Sequence, residues 1–88
     1  MSRFTFKSLA TEERAGEKLR RAREDKKATL EDAAQILRIR VEYLAALENE
    51  EYDRLPSGLY GRQFLKEYSQ LLKLDYRKLV RPTPYSEE

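Results

Sequence analysis

The sequence contains no cysteine and no histidine. The first absence removes disulfides and thiolate metal ligands. The second removes the commonest metal ligand and the side chain best suited to moving protons near neutrality. Tryptophan is also absent, and the three glycines are too scattered to form a phosphate-cradling loop. No apolar run approaches the ~20 residues of a membrane-crossing helix, and Met1-Ser-Arg-Phe-Thr-Phe lacks the apolar centre of a secretion signal. Charge of one sign is scarce as well: the formal net charge is +2, so bulk charge selects no partner. Carboxylate pairs such as Glu12-Glu13 and Glu50-Glu51 lie in polar stretches with no apolar pocket to raise a pKa, and the serines and threonines have no base beside them. These absences argue against an enzyme, a cofactor and a bound metal.

What remains is a chain of 88 residues, 39% charged and 40% hydrophobic, enough for one small, heavily solvated domain with a single core. Its clearest pattern spans Ala33, Leu37, Ile39, Leu44, Leu47 and Glu48. Thr29 to Leu37 reads as a short helix, Arg38-Ile39 as a tight corner, and Arg40 to Glu48 as a second short helix. Two such helices, each with an apolar stripe, make a helix-turn-helix. Thr29 and Asp32 have capping-box spacing. Before this unit, a helix from Glu12 to Lys27, capped by Thr11, shows Ala15, Leu19 and Ala22 at helical spacing. After it come a polar connection with Pro56 and Gly58, a longer helix from Leu59 to Leu72, and a short one from Tyr76 to Val80 behind the N-cap Asp75. Tyr52 and Leu55 are expected to fold back onto the core. The expected architecture is all-α, a five-helix bundle over residues 11–81, with residues 1–10, including Phe4 and Phe6, as an N-terminal tail and residues 82–88 as a polar C-terminal tail or linker. The predicted core is Leu19, Ala22, Ala33, Leu37, Ile39, Leu44, Leu47, Leu65 and Leu72.

Chemistry along the chain is uneven. Residues 10–50 hold nine basic and ten acidic side chains, a net of −1, whereas residues 57–81 hold six basic and two acidic, a net of +4. Gripping duplex phosphates needs a local excess of Lys and Arg, and the helix-turn-helix half does not have one. Weak, non-specific nucleic-acid contact is the most its charge supports. In the longer helix, Tyr60, Gly61, Phe64, Leu65, Tyr68, Leu71 and Leu72 spread across roughly 140°, wider than a small bundle needs. Leu65 and Leu72 are natural core residues. Tyr60 and Phe64, one turn apart and flanked by Gln63 and Glu67, stand at the other edge. Two readings stay open on spacing alone: the rings close the core, or they stand partly free as a contact hot spot of the kind aromatics favour.

Gly16-x-x-Leu19-x-x-Ala22-Arg23, Thr29-Leu-Glu-Asp-Ala-Ala34 and Ile39-Arg-Val-x-Tyr-Leu-x-Ala-Leu-Glu48 resemble the Xre/Cro/C1-type, lambda-repressor-like helix-turn-helix superfamily. Tyr52-x-x-Leu-Pro56, Tyr60-Gly-Arg-x-Phe-Leu-x-x-Tyr68 and Leu72-x-Leu-Asp75 narrow this to a resemblance to the RodZ-type cytoplasmic domain. The resemblance implies a partly buried ion pair between Arg23 and Glu48. It implies a cytoplasmic interaction domain for an actin-like, MreB-type filament in bacterial cell-shape maintenance, with Tyr60 and Phe64 touching the filament beside Gln63 and Glu67. Membrane contact is then expected only through a segment outside this chain, which would make this the cytoplasmic portion of a single-pass inner-membrane protein. The alternative implied by the wider superfamily is an Xre-type DNA-binding regulator. Its reading positions would be Val41, Glu42, Tyr43 and Ala46, with Arg38 and Arg40 on phosphates. Specific readout wants Arg, Asn or Gln at base edges, and this helix offers a valine, a carboxylate, a tyrosine and an alanine. Arg38 also stands where DNA-binding relatives often have glycine.

Overall fold

A computed structural model describes residues 13–86. These form five α-helices: α1 Ala15–Asp25, α2 Leu30–Leu37, α3 Val41–Asn49, α4 Gly58–Leu71 and α5 Tyr76–Val80, with a single 3-10 turn, Tyr52–Arg54, between α3 and α4. The all-α reading holds. The Thr11 cap, the start of α1 at Glu12 and the Phe4 and Phe6 tail lie outside the described residues.

Local chemistry explains most helix starts. At α1 the Glu17 carboxylate accepts the Arg14 backbone N–H at 3.1 Å. At α2 the Thr29 hydroxyl accepts the Asp32 N–H at 3.0 Å, while the Asp32 carboxylate accepts the Thr29 N–H at 3.1 Å, a reciprocal box that satisfies two otherwise orphaned donors. At α5 the Asp75 carboxylate accepts the Arg77 N–H at 3.0 Å.

The helix ends share a device that the sequence does not advertise. Lys27, Arg38, Glu50 and Lys73 follow α1, α2, α3 and α4 with φ of 57°, 60°, 59° and 61°. Each left-handed residue turns the chain so that the next N–H reaches back five residues: Ala28 to the Arg23 carbonyl at 3.2 Å, Ile39 to Ala34 at 3.1 Å, Glu51 to Ala46 at 2.8 Å and Leu74 to Ser69 at 2.8 Å. Glycine usually fills this position, and none of the four is glycine. At two of the corners the following residue is a large apolar one, Ile39 or Leu74, which folds back against the core.

Leu19, Ala33, Ile39, Leu44, Leu47, Leu65 and Leu72 are buried as expected, whereas Ala22 and Leu37 are only half-buried at the rim. Ala15, Leu55, Tyr68 and Leu79 complete the core. Helices α1 and α3 approach closely at Gly16, where an added Cβ would run into the Glu48 carbonyl; the Gly16 N–H donates to the Glu50 carboxylate at 2.9 Å. The polar tail expected from Pro82 onward is instead docked as far as Tyr85. Thr83 is buried and donates its hydroxyl to the Val80 carbonyl at 2.7 Å. The Tyr85 ring lies over Gly61 and meets Tyr52 edge-on at 5.5 Å. A glycine on α4 leaves room for a ring, and that room carries the domain past the proline that stops α5.

Two stability measurements check this fold. Leu44→Ala, at a site with no exposed surface, should cost about 2–5 kcal/mol in urea unfolding; a neutral result would mean the helix-turn-helix register is misplaced. Arg38→Gly relieves about 1 kcal/mol or more of left-handed strain and gives back ~0.4–1 kcal/mol through the freer unfolded chain. Its melting temperature should stay level or rise slightly, and a clear drop would show that the Arg38 side chain itself supports the corner.

Candidate partner-binding surface

Glu48, the last buried residue of α3, fixes the geometry of the site. Only 4% of it is exposed, yet both α1 and α4 send donors to it. From α1, Arg23 grips the carboxylate with two nitrogens, Nε to Oε2 at 2.8 Å and Nη2 to Oε1 at 3.1 Å, and spends Nη1 on the Ala28 carbonyl at 2.9 Å. Arg20 adds a longer contact from Nε at 3.4 Å and holds the Asn49 side-chain oxygen at 2.6 Å. From α4, the Tyr68 hydroxyl donates to Oε2 at 2.6 Å. Among the described residues no buried side-chain polar atom lacks a partner.

The electrostatics follow from this arrangement. Burial by itself would raise the Glu48 pKa, but the hydrogen bonds from Arg23 and Tyr68 and the Arg23 charge outweigh it and hold the carboxyl below its ordinary 4.5. Arg23 is pushed up by its hydrogen bond to Glu48, against a smaller opposing effect of burial. Burial first, and then the neighbouring carboxylate, push the Tyr68 phenol up.

The sequence places Tyr68 on the apolar arc of α4 but does not pair it with Glu48. The usable signal was chemical: a tyrosine in a core needs a hydrogen-bond partner, and a carboxylate paired to one arginine still has lone pairs to offer. Its bond fixes the rotation of α4. One turn earlier on the same face, Phe64 is half-buried and stacks on Tyr43 of α3, with centroids 5.6 Å apart and planes 19° apart. One turn earlier again, Tyr60 tilts against Phe64 at 6.4 Å and is 58% exposed. Leu59 beside it is 69% exposed. Gln63 is exposed and donates to the half-buried Glu67 at 2.9 Å. Tyr60, Phe64, Gln63 and Glu67 therefore lie together on α4, and Tyr43 joins them from the helix assigned to DNA. Phe64 belongs to both sequence readings: one side of it packs on the core and the other continues the ridge.

The DNA-reading set does not assemble as expected. Ala46 is 1% exposed and sits in the core, so it cannot meet a base edge, even though it follows the exposed Glu42 by one helical turn. Tyr43 is committed to its stack with Phe64. Arg38 and Arg40 are exposed, and Arg40 lies 3.8 Å from the exposed Glu42, a pair worth little in water that nonetheless sets a negative charge beside the only arginine at the helix start.

This geometry defines a class. The chain belongs to a family of helix-turn-helix domains, whose match covers residues 18–79. Within that class it is similar to the cytoskeleton protein RodZ of Streptococcus pneumoniae, 38% identical over 60 residues, and is RodZ-like in this domain. The match takes in 68% of this chain and 22% of that protein, so the chain spans less than a quarter of the relative it matches. No solved structure matches it. Among the described residues no helix is long and apolar enough to cross a membrane.

The hub predicts a pH dependence. The Glu48 pKa is lower folded than unfolded, so in acid the unfolded chain takes up the proton first. The stabilisation is complete above the ordinary carboxyl value of 4.5 and is lost as pH falls through the depressed folded value. Urea unfolding from pH 7 downward should therefore show stability falling on that acid side. Glu48→Gln should be about 3–5 kcal/mol less stable at neutral pH with a flatter acid limb. An unchanged limb in the variant would place the responsible carboxylate elsewhere.

Proposed function

We propose that this domain is a protein-interaction module with a cytoskeletal role, which grips an actin-like, MreB-type filament in bacterial cell-shape maintenance. The observation that carries the reading is the ridge of Tyr60 and Phe64 on α4, backed by Tyr43. A half-supported aromatic pair suits a desolvated contact, because its rings are already ordered and lose little entropy on docking. Similarity to a protein named for the cytoskeleton supports the same direction. Gln63 and Glu67 flank the ridge as its polar rim. The α3 surface supports a DNA regulator less well, since Ala46 is buried and Glu42 faces outward.

Co-sedimentation with MreB-type filaments from the same organism, run beside a duplex-DNA assay, tests the proposal. Tyr60→Ala is the clean variant, because its ring is mostly exposed; it should weaken filament association by ≥2 kcal/mol, the scale of a hot-spot residue, with an unchanged melting temperature. Phe64→Ala should abolish association and also cost about 1–3 kcal/mol of stability, since it removes a half-buried ring and its stack on Tyr43. Duplex binding should be weak and fade steeply with salt. Tight, site-specific DNA binding near the ~10⁻⁸ M of true operators, with Tyr60→Ala leaving filament binding untouched, would replace this reading with the regulator.

A further inference from the structure

On the side of α4 turned away from Tyr43 and Phe64, a groove of about 540 Å³ runs between α4 and α5. Arg62, Gln63 and Lys66 line it from α4, Arg77 and Arg81 from α5 and its C-cap, with Tyr76 and Tyr85 among the other lining residues; among the described residues no carboxylate lines it. Lys66, Arg77 and Arg81 are exposed and form no ion pair among the described residues. The like charges of Arg77 and Arg81, one turn apart, work against folding rather than for it. The groove also stands apart from the helix-turn-helix half, where the arginines of α1 are paired to Glu13 and Glu48 and the N-cap Arg14 to Glu50.

Spacing narrows the ligand. Four residues along a helix advance about 6 Å, so each wall carries two cationic residues rooted one turn, about 6 Å, apart. In an extended chain, side chains two residues apart point the same way and lie about 6.6 Å apart. A lone phosphate or carboxylate would engage one step of this ladder, and a flat bilayer meets a concave trough poorly. A strand with carboxylates at alternate positions matches the ladder in both period and sign, and the arginine forks accept carboxylates in pairs of hydrogen bonds. We propose that the α4–α5 groove binds an extended acidic segment of a partner protein, with Asp or Glu at every second position, received by Lys66, Arg77 and Arg81 beside Arg62. Gln63 borders both this site and the aromatic ridge, but the cations belong to the groove alone, and the site stands whether or not the ridge grips a filament.

The test is an NMR titration of this chain with a short peptide carrying glutamate at every second position. The same peptide with glutamine, inorganic phosphate alone, and phosphatidylglycerol vesicles form the other arms. The acidic peptide should shift the amides of residues 62–66 and 76–81 saturably, and the glutamine peptide should not. Arg77→Ala combined with Arg81→Ala, both exposed side chains whose loss should leave the fold intact by circular dichroism, should weaken peptide binding about tenfold or more. Phe64→Ala should leave peptide binding unchanged, which separates this result from any failure at the ridge. The proposal is overturned if the double variant binds the peptide as well as the parent chain, or if the shifts fall outside the groove. It is equally overturned if phosphate or vesicles perturb these residues while the acidic peptide does not.

Discussion

One buried carboxylate holds this small domain in register. Glu48 sits on α3, its bidentate arginine comes from α1, and its tyrosine comes from α4. Taking a carboxylate and a guanidinium out of water costs several kcal/mol per ion, and pairing them returns about that much only when the remaining lone pairs and protons are also satisfied. Here they are: Arg23 has a third bond to the Ala28 carbonyl, and Glu48 has Tyr68 and Arg20. The net gain over an equally well packed apolar cluster is small. What the hub supplies is exclusivity, because a helix rotated by one residue would strand a charge in the core.

That exclusivity shapes the outer surface. Tyr60, Phe64 and Tyr68 are successive steps of four along α4, and they pass from mostly exposed through half-buried to fully buried. Because Tyr68 is pinned to Glu48, the phase of α4 is set, and the same row of rings must emerge beside Tyr43 of α3. The opposite flank of α4 then faces α5 and forms the cationic groove. Two chemically different surfaces thus follow from one rotation of one helix. The turn that would read DNA in a regulator is spent differently: Ala46 closes the core and Tyr43 buttresses Phe64.

How far the sequence reveals this depends on how local the cause is. Thr29 with Asp32 and Asp75 before α5 are readable because a cap and its partner lie within three residues of each other. The Arg23–Glu48 pair is readable only through the family resemblance, since nothing local joins positions 25 apart. The helix ends are obscured because charged residues, not glycine, occupy the left-handed corners. The docked tail is hidden for a similar reason: Pro82 and Pro84 signal a stop, whereas the ring of Tyr85 finds its place over Gly61, far away in sequence. Phe64 defeats a strict choice between core and contact, because helical spacing gives an angle and not the depth of the neighbouring helix. Ala46 escapes for the same reason: it follows the exposed Glu42 by one turn, so spacing places it outside, and only the depth of the neighbouring helices buries it.

On the function proposed here α4, and not the start of α3, is the working surface of this helix-turn-helix. Amide hydrogen exchange measures that directly, on the chain alone, with an MreB-type filament and with duplex DNA. The filament should slow exchange along residues 59–67 and leave residues 41–45 unchanged, and DNA at physiological salt should protect neither. Protection concentrated on residues 38–45 with DNA, and none along α4 with the filament, would contradict that function.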